Sequence, residues 1–160
     1  MSENYKDLPL QAEKLKPAFL AYYKKNKKRL EKMDITVQDL HEHYSNEINC
    51  LDCANCCRSL GPAIYDKDIE RISKALKMKP AKVVANYLRV DEDGDYVFKS
   101  MPCPFLMPDN YCSIYEARPK ACREYPHTDR KKFSQIFLLT VKNTDTCPIA
   151  FHVLKELIKT

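Results

Sequence analysis

The sequence predicts a mainly α-helical fold with a small irregular β element (α+β), built as a single metal-stabilised domain with a cysteine-cluster core. Apolar side chains recur at three- and four-residue steps over most of the chain, as they do in amphipathic helices. A chain of 160 residues is also long enough for one domain with its own hydrophobic core. Finally, eight cysteines in such a chain indicate ligation of metal or a set of disulfides.

Two helices are predicted before the cysteines begin. Apolar residues between Leu15 and Met33 share one helical face. The segment Thr36–Asp39 has the pattern of a capping box and predicts the start of the second helix. We expect residues 1–47 to form an N-terminal helical extension packed on the domain, and residues 48–160 to form the cysteine-cluster metal-binding domain.

The rest of the chain alternates helical and extended patterns. Two further helices are predicted to begin near Asp66 and at Pro80. Tyr96–Phe98 predicts a short strand, and Tyr111–Tyr115 is the segment that we expect to pair with it. Residues 133–141 are rich in β-favouring apolar residues and predict a buried extended run.

The cysteines favour metal over disulfides because the remaining features suggest a cytoplasmic protein. The first residues lack a basic start followed by an apolar stretch, and no later run is apolar enough to span a bilayer. Thiols stay reduced in the cytosol. We therefore expect a cytoplasmic protein with no membrane partner and with free thiols available to metal.

The net charge of the chain does not identify its partners. The net charge of +5 is concentrated around Lys24–Arg29, where a solvated helix face is the favoured interpretation and nucleic-acid binding is disfavoured. Only two glycines occur, which argues against glycine-rich phosphate loops. The partner is unknown, and a protein partner stays open.

All eight cysteines are predicted metal ligands, and no catalytic residue is assigned. Three of them follow one another at three-residue steps, which lets their thiolates converge on one centre, whereas the adjacent fourth suggests a second centre. The predicted ligands are Cys50, Cys53, Cys56, Cys57, Cys103, Cys112, Cys122 and Cys147.

The sequence leaves an iron–sulfur cluster and zinc both open as the cofactor. The pairs Cys103-Pro104 and Cys147-Pro148 favour the iron–sulfur cluster by a small margin, because proline follows a ligand in bacterial ferredoxins. The distal cysteines also form no CxxC pair of the kind that zinc sites use. If Cys147 is the N-cap of the last helix, the helix dipole should lower its pKa.

Several segments together resemble the CxxCxxCC cysteine-cluster family, the YkgJ-type proteins. The similarity spans about residues 48–150, including two middle helices, and leaves the N-terminal helices outside. Its motifs here are Cys50-x-x-Cys53-x-x-Cys56-Cys57, Pro102-Cys-Pro-Phe-Leu106, Cys112-Ser-Ile-Tyr-Glu-Ala-Arg-Pro119 and Cys122-Arg-Glu-Tyr-Pro126. The resemblance implies a zinc- or iron-chelating domain.

The leading hypothesis is thus a metal-binding protein whose biochemical role is otherwise open. A similar cysteine run in flagellin lysine N-methylase implies an alternative, a metal-dependent enzyme of protein modification or redox chemistry, although no methyl-donor motif is recognisable here. Its pocket would use Arg123, Tyr125 or His127. A second alternative is a zinc protein that binds nucleic acid through Lys24–Arg29.

Overall fold

The structure is a computed structural model that describes residues 5–160. Over that range the chain is mainly helical with one small antiparallel sheet, as predicted. The α-helices are α1 (Leu8–Leu30), α2 (Asp34–Glu47), α3 (Cys50–Cys53), α4 (Asn55–Ser59), α5 (Asp66–Leu76), α6 (Pro80–Tyr87), α7 (Lys120–Glu124), α8 (Phe137–Asn143) and α9 (Pro148–Leu157). The strands are β1 (Leu88–Val90) and β2 (Tyr96–Phe98), and short 3₁₀ helices lie at Tyr5–Asp7, Tyr115–Ala117 and Phe133–Ile136.

The chain divides into two compact units. The first unit is Met1–Cys53, described from residue 5, together with Pro126–Thr160, and the second unit is Ala54–Tyr125. The predicted division of the chain at residue 48 stays a prediction.

In the first unit, α9 packs against α1, α2 and α8. Its apolar residues are buried on more than one side, so this short helix is central to the unit. The fully buried side chains of the unit include Phe19, Leu30, Val37, Phe133, Phe137, Phe151, Val153, Leu154 and Leu157.

The prediction of an extended run over residues 133–141 is wrong. The segment forms a 3₁₀ turn followed by α8. Phe133, Phe137 and Val141, four residues apart, are buried, whereas Leu138 and Leu139 are nearly half exposed. Packing of this helical face within the first unit outweighs the local β propensity of the residues.

The capping box predicted at Thr36–Asp39 is also wrong, although the helix exists. Helix α2 begins at Asp34, so Thr36 lies inside its first turn. The Asp34 carboxylate accepts hydrogen bonds from the backbone N–H groups of Lys132 (2.7 Å) and Phe133 (3.0 Å). The first residue of α2 is therefore bonded to a segment about 98 residues away in the sequence, and a local sequence pattern cannot reveal such a contact.

The second unit packs α5, α6 and the β1–β2 hairpin around one apolar cluster. Tyr96–Phe98 is a strand, as predicted, but its partner is β1, with Leu88 opposite Phe98. The prediction that residues 111–115 pair with it is wrong. Asp91 stabilises the turn between the two strands, because its Oδ1 accepts hydrogen bonds from the N–H groups of Asp93 and Asp95, both at 2.9 Å. The turn therefore favours pairing of β2 with β1, the strand that precedes it in the sequence.

The apolar cluster of the second unit also receives two of the predicted ligands. Ile72 and Val83 are fully buried at its centre, and Cys103 and Cys112 pack against it. Their segments are fixed by hydrogen bonds to each other, since Ser113 N–H donates to the Phe105 carbonyl at 2.8 Å. The hydrophobic core of this unit thus determines where the two thiols lie.

Candidate metal centre

Four cysteines of the second unit come together, and we call them the second-unit cysteine group: Cys57, Cys103, Cys112 and Cys122. The Cys103 N–H donates to the Cys57 carbonyl at 2.8 Å. Cys112 forms an isolated β-bridge with Leu106, three residues after Cys103. The pKa of the Cys122 thiol is raised by charge on each of the other three, which shows that the four sulfurs lie in one electrostatic neighbourhood.

Burial controls the acidity of most of this group. It raises the pKa of Cys103 to about 11 and that of Cys122 to about 12, and it also raises the pKa of Cys112. Charge on neighbouring thiols adds to each increase. Without metal, these three thiols are therefore protonated at neutral pH.

Cys57 is the exception. Its pKa is lowered to about 7, chiefly by a hydrogen bond from the Cys56 side chain; burial opposes this lowering, and the nearby charges of Arg58 and Arg118 add to it. A large fraction of Cys57 is thus thiolate near neutral pH, and a thiolate is the form that binds metal.

Backbone N–H groups are directed at two sulfurs of the group. The N–H groups of Phe105 and Leu106 hydrogen-bond the Cys103 sulfur, and the Ile114 N–H hydrogen-bonds that of Cys112. Each bond lowers the pKa of the thiol concerned. Pro104, which has no N–H, directly follows Cys103, so the first donors available to that sulfur come from the two residues after it.

The remaining distal cysteine has the same kind of donors in the first unit. Cys147 is the N-cap of α9, as predicted, and the N–H groups of Ala150 and Ile149 hydrogen-bond its sulfur. Charge on Cys50 and Cys53 raises its pKa, so these three lie near one another and form what we call the first-unit cysteine group.

The predicted lowering of the pKa of Cys147 is wrong. Burial, the largest effect, raises it to about 12, and the two N–H groups only partly offset that increase. Cys147 is 8% exposed, and the loss of hydration penalises its thiolate more than the start of a helix stabilises it.

The donor chemistry of the two groups fits a thiophilic metal. All eight cysteines are free thiols, and thiolates are preferred ligands of both zinc and iron–sulfur clusters. Within residues 5–160, however, no three side chains of Cys, His, Asp or Glu are arranged so that they could together hold a metal ion. A metal-stabilised core, the eight ligands and the shared centre of Cys50, Cys53 and Cys56 stay predictions.

Asp68 is a positioning residue in the first turn of α5, the helix predicted to begin near Asp66. Its carboxylate is 1% exposed and accepts hydrogen bonds from Tyr65 N–H (2.9 Å), Lys120 N–H (3.0 Å) and Arg71 Nη2. It thereby ties the first residue of α7, the helix that carries Cys122, to the start of α5. The only feature of the sequence that could have indicated this role is the position of Asp68, an acidic residue three positions after Tyr65, the N-cap of α5.

The basic run Lys24–Arg29 lies exposed near the end of α1, as expected for a solvated helix face. Part of it contacts the first unit itself, since Lys27 lies 5.3 Å from the Tyr23 ring centroid and Arg29 Nη1 donates to the Thr160 carbonyl at 3.0 Å. Across the part of the chain that is described, every helix is too short or too polar to cross a bilayer.

Comparison with known proteins gives one match. The model of the CxxCxxCC family, described as a "putative zinc- or iron-chelating domain", matches residues 49–148. No curated protein and no solved structure matches the chain significantly.

Proposed function

Because the chain belongs to the CxxCxxCC family, we propose that it is a metal-binding protein with two centres. The second-unit cysteine group supplies four thiolates to one centre, and the first-unit group, Cys50, Cys53 and Cys147, supplies three to the other. This assignment uses seven of the eight ligands predicted from the sequence, with Cys56 acting instead as the hydrogen-bond donor to Cys57.

The observation that carries the proposal is the set of backbone N–H groups directed at sulfur. A neutral thiol is a weak acceptor, so such donors contribute little to a protein whose cysteines only fill space. A metal-bound thiolate carries negative charge and accepts such bonds strongly, and hydrogen bonds to sulfur tune thiolate-ligated centres. Cys103, Cys112 and Cys147 all have these donors.

The acidities of the second-unit group support an order of binding. Cys57, with a pKa of about 7, offers a thiolate to the incoming metal at neutral pH. Cys103, Cys112 and Cys122, which are protonated without metal, would have to lose their protons in order to bind it. Metal uptake is therefore accompanied by release of protons.

The ligand set suits zinc and an iron–sulfur cluster, and the two Cys–Pro pairs make the cluster our choice. Bound metal would join segments that are far apart in sequence, since α4, the loop after β2 and α7 all contribute to one group. Its chemical contribution would be cross-linking of the fold, and electron transfer if it is a cluster.

The test is anaerobic purification followed by visible absorption spectroscopy and measurement of iron and zinc per chain. We expect Cys122→Ser to lose the metal of the second unit and Cys147→Ser to lose that of the first. Cys56→Ser is the matched control, because serine keeps a hydrogen-bond donor next to Cys57, and it should retain the full metal content.

Three results would contradict the proposal. A protein purified with neither iron nor zinc, and unable to take up either under reducing conditions, would exclude metal binding. Loss of metal in Cys56→Ser would show that this cysteine is a ligand and that our partition is wrong. A colourless protein with stoichiometric zinc would replace the cluster by zinc and leave the partition to be decided by the variants.

A further inference from the structure

A cavity of about 440 Å³ on the second unit lies beside the 3₁₀ helix Tyr115–Ala117. Its volume falls within the range of small-molecule sites. Its wall combines basic side chains of α5 with aromatic side chains of the segment that carries Cys112. The lining includes Arg71, Lys74, Tyr111, Cys112, Tyr115 and Glu116.

The aromatic part of the wall is ordered by contacts within the protein. The rings of Tyr111 and Tyr115 stack with centroids 5.6 Å apart and planes at 25°, yet the two residues remain 40% and 39% exposed. The guanidinium of Arg118 lies 3.7 Å from the Tyr115 ring centroid, and its Nε donates to the Tyr115 carbonyl at 2.8 Å. Because these contacts already restrain the two rings, they would lose little conformational entropy when a planar ligand packs against them.

The basic part of the wall retains hydrogen-bonding capacity. Arg71 donates from Nη2 to the buried Asp68, which fixes the side chain, and 36% of the side chain remains exposed. Lys74 lies exposed one turn further along α5. Asp68 pairs with Arg71 and Glu116 belongs to the lining, so the wall carries no net charge, but the guanidinium and the ammonium place hydrogen-bond donors side by side on α5, where they suit an anionic group.

We propose that this cavity binds a small aromatic phosphate monoester. Its ring packs against Tyr111 and Tyr115, and its phosphate contacts Arg71 and Lys74. A phosphate monoester carries about −1.5 to −2 charges at neutral pH and offers several acceptor oxygens to these donors, and guanidinium geometry suits phosphate oxygens. Nucleoside monophosphates and free phosphotyrosine share this chemistry. The site goes beyond the metal-binding function, although Cys112, a proposed ligand, lines the same cavity.

The proposal is tested by isothermal titration calorimetry on the purified full-length chain, with AMP and free O-phosphotyrosine as probes. Adenosine and tyrosine lack the phosphate, and inorganic phosphate lacks the ring. We expect AMP or phosphotyrosine to bind, and each of these three controls to bind at least about tenfold more weakly, as loss of one group of contacts predicts. The tighter of the two probes identifies the source of the ligand.

Variants locate the binding. Lys74→Glu and Tyr111→Ala should each weaken the tighter probe at least about tenfold. Lys67→Glu is the matched control, because Lys67 is exposed on the same helix but lies outside the cavity lining, and it should change affinity less than about twofold. Circular dichroism checks that each variant is folded.

Absence of binding by both probes at about 5 mM would overturn the proposal, since affinities weaker than that correspond to less than about 3 kcal/mol. Inorganic phosphate that binds as tightly as either probe, or affinity unchanged in both cavity variants, would overturn it as well. Iron and zinc are measured in every sample, so loss of metal is distinguished from loss of the phosphate site.

Discussion

Replacing Asp68 should destabilise the second unit more than replacing any neighbouring acidic residue. Its carboxylate is almost fully buried and is shared by the start of α5, the start of α7 and the Arg71 guanidinium. In Asp68→Ala, two backbone N–H groups and one guanidinium lose their acceptor at once.

The magnitude follows from these contacts. A hydrogen bond to a charged group contributes about 1.5–3 kcal/mol, and removal of one partner of a buried ion pair costs about 3–5 kcal/mol. Arg71 is about one third exposed, so water can hydrate part of its charge and the lower end applies. We expect Asp68→Ala to lower the free energy of unfolding by about 3 kcal/mol. Asp68→Asn keeps one acceptor oxygen and should cost less.

The assay is urea denaturation followed by far-ultraviolet circular dichroism, under reducing conditions and at fixed metal content. Asp66→Ala is the matched control, because Asp66 is an exposed acidic residue at the first position of the same helix. Its loss should cost less than about 1 kcal/mol, the value of a carboxylate near a helix start.

Replacement of Asp68 should also change the metal affinity of the second unit. Because Asp68 binds Lys120 N–H at the first residue of α7, its loss should loosen the helix that carries Cys122 and weaken metal at the second-unit group. A fall in unfolding free energy below about 1 kcal/mol for Asp68→Ala, equal to that of Asp66→Ala, would refute the structural role. A larger fall with unchanged metal affinity would refute only the link to Cys122.

Three further predictions concern local features. Lys77 ends α5 in the left-handed conformation (φ 53°), so Lys77→Gly should raise the free energy of unfolding by about 1 kcal/mol and Lys77→Ala should not. In metal-free protein the raised pKa of Cys147 contributes stability that is complete below pH 9.0 and is lost as the pH rises towards about 12. Between pH 9 and pH 10 the free energy of unfolding should therefore decrease in the parent protein by up to about 1.4 kcal/mol more than in Cys147→Ala. Asp34→Ala should lower the free energy of unfolding by about 2 kcal/mol in urea denaturation, since it removes the acceptor of two backbone N–H groups, and Asp39→Ala, on the same helix, should be nearly neutral. An unchanged stability in Lys77→Gly, an identical pH slope in Cys147→Ala or equal effects of Asp34→Ala and Asp39→Ala would contradict the respective prediction.

Local signals in the sequence were sufficient for most of the helices and for one strand. Pro80 begins α6, as predicted, because proline suits the first turn of a helix, and Cys147 caps α9. Tyr96–Phe98 is extended, as its β-favouring residues indicate. These features depend on a few neighbouring residues, so a local pattern contains the information that specifies them.

Local signals failed where distant contacts decide the conformation. Residues 133–141 favour strand by composition but bury Phe133, Phe137 and Val141 on one helical face. Similarly, Asp34 and not Thr36 stands at the start of α2, because its carboxylate accepts from residues 132 and 133. No window of a few residues includes both partners of such a contact.

For the candidate site, the sequence alone determined the chemistry. Eight thiols, their CxxCxxCC run and the two Cys–Pro pairs indicate thiolate ligation of zinc or iron whatever the fold, because ligand preference depends on the donor atom. Only the tertiary structure decided which thiols are neighbours and in which direction the pKa values of five of them are shifted. Cys57 and Cys147 have opposite pKa shifts, one lowered by a hydrogen bond from Cys56 and the other raised by burial, and burial is a property of the packed chain.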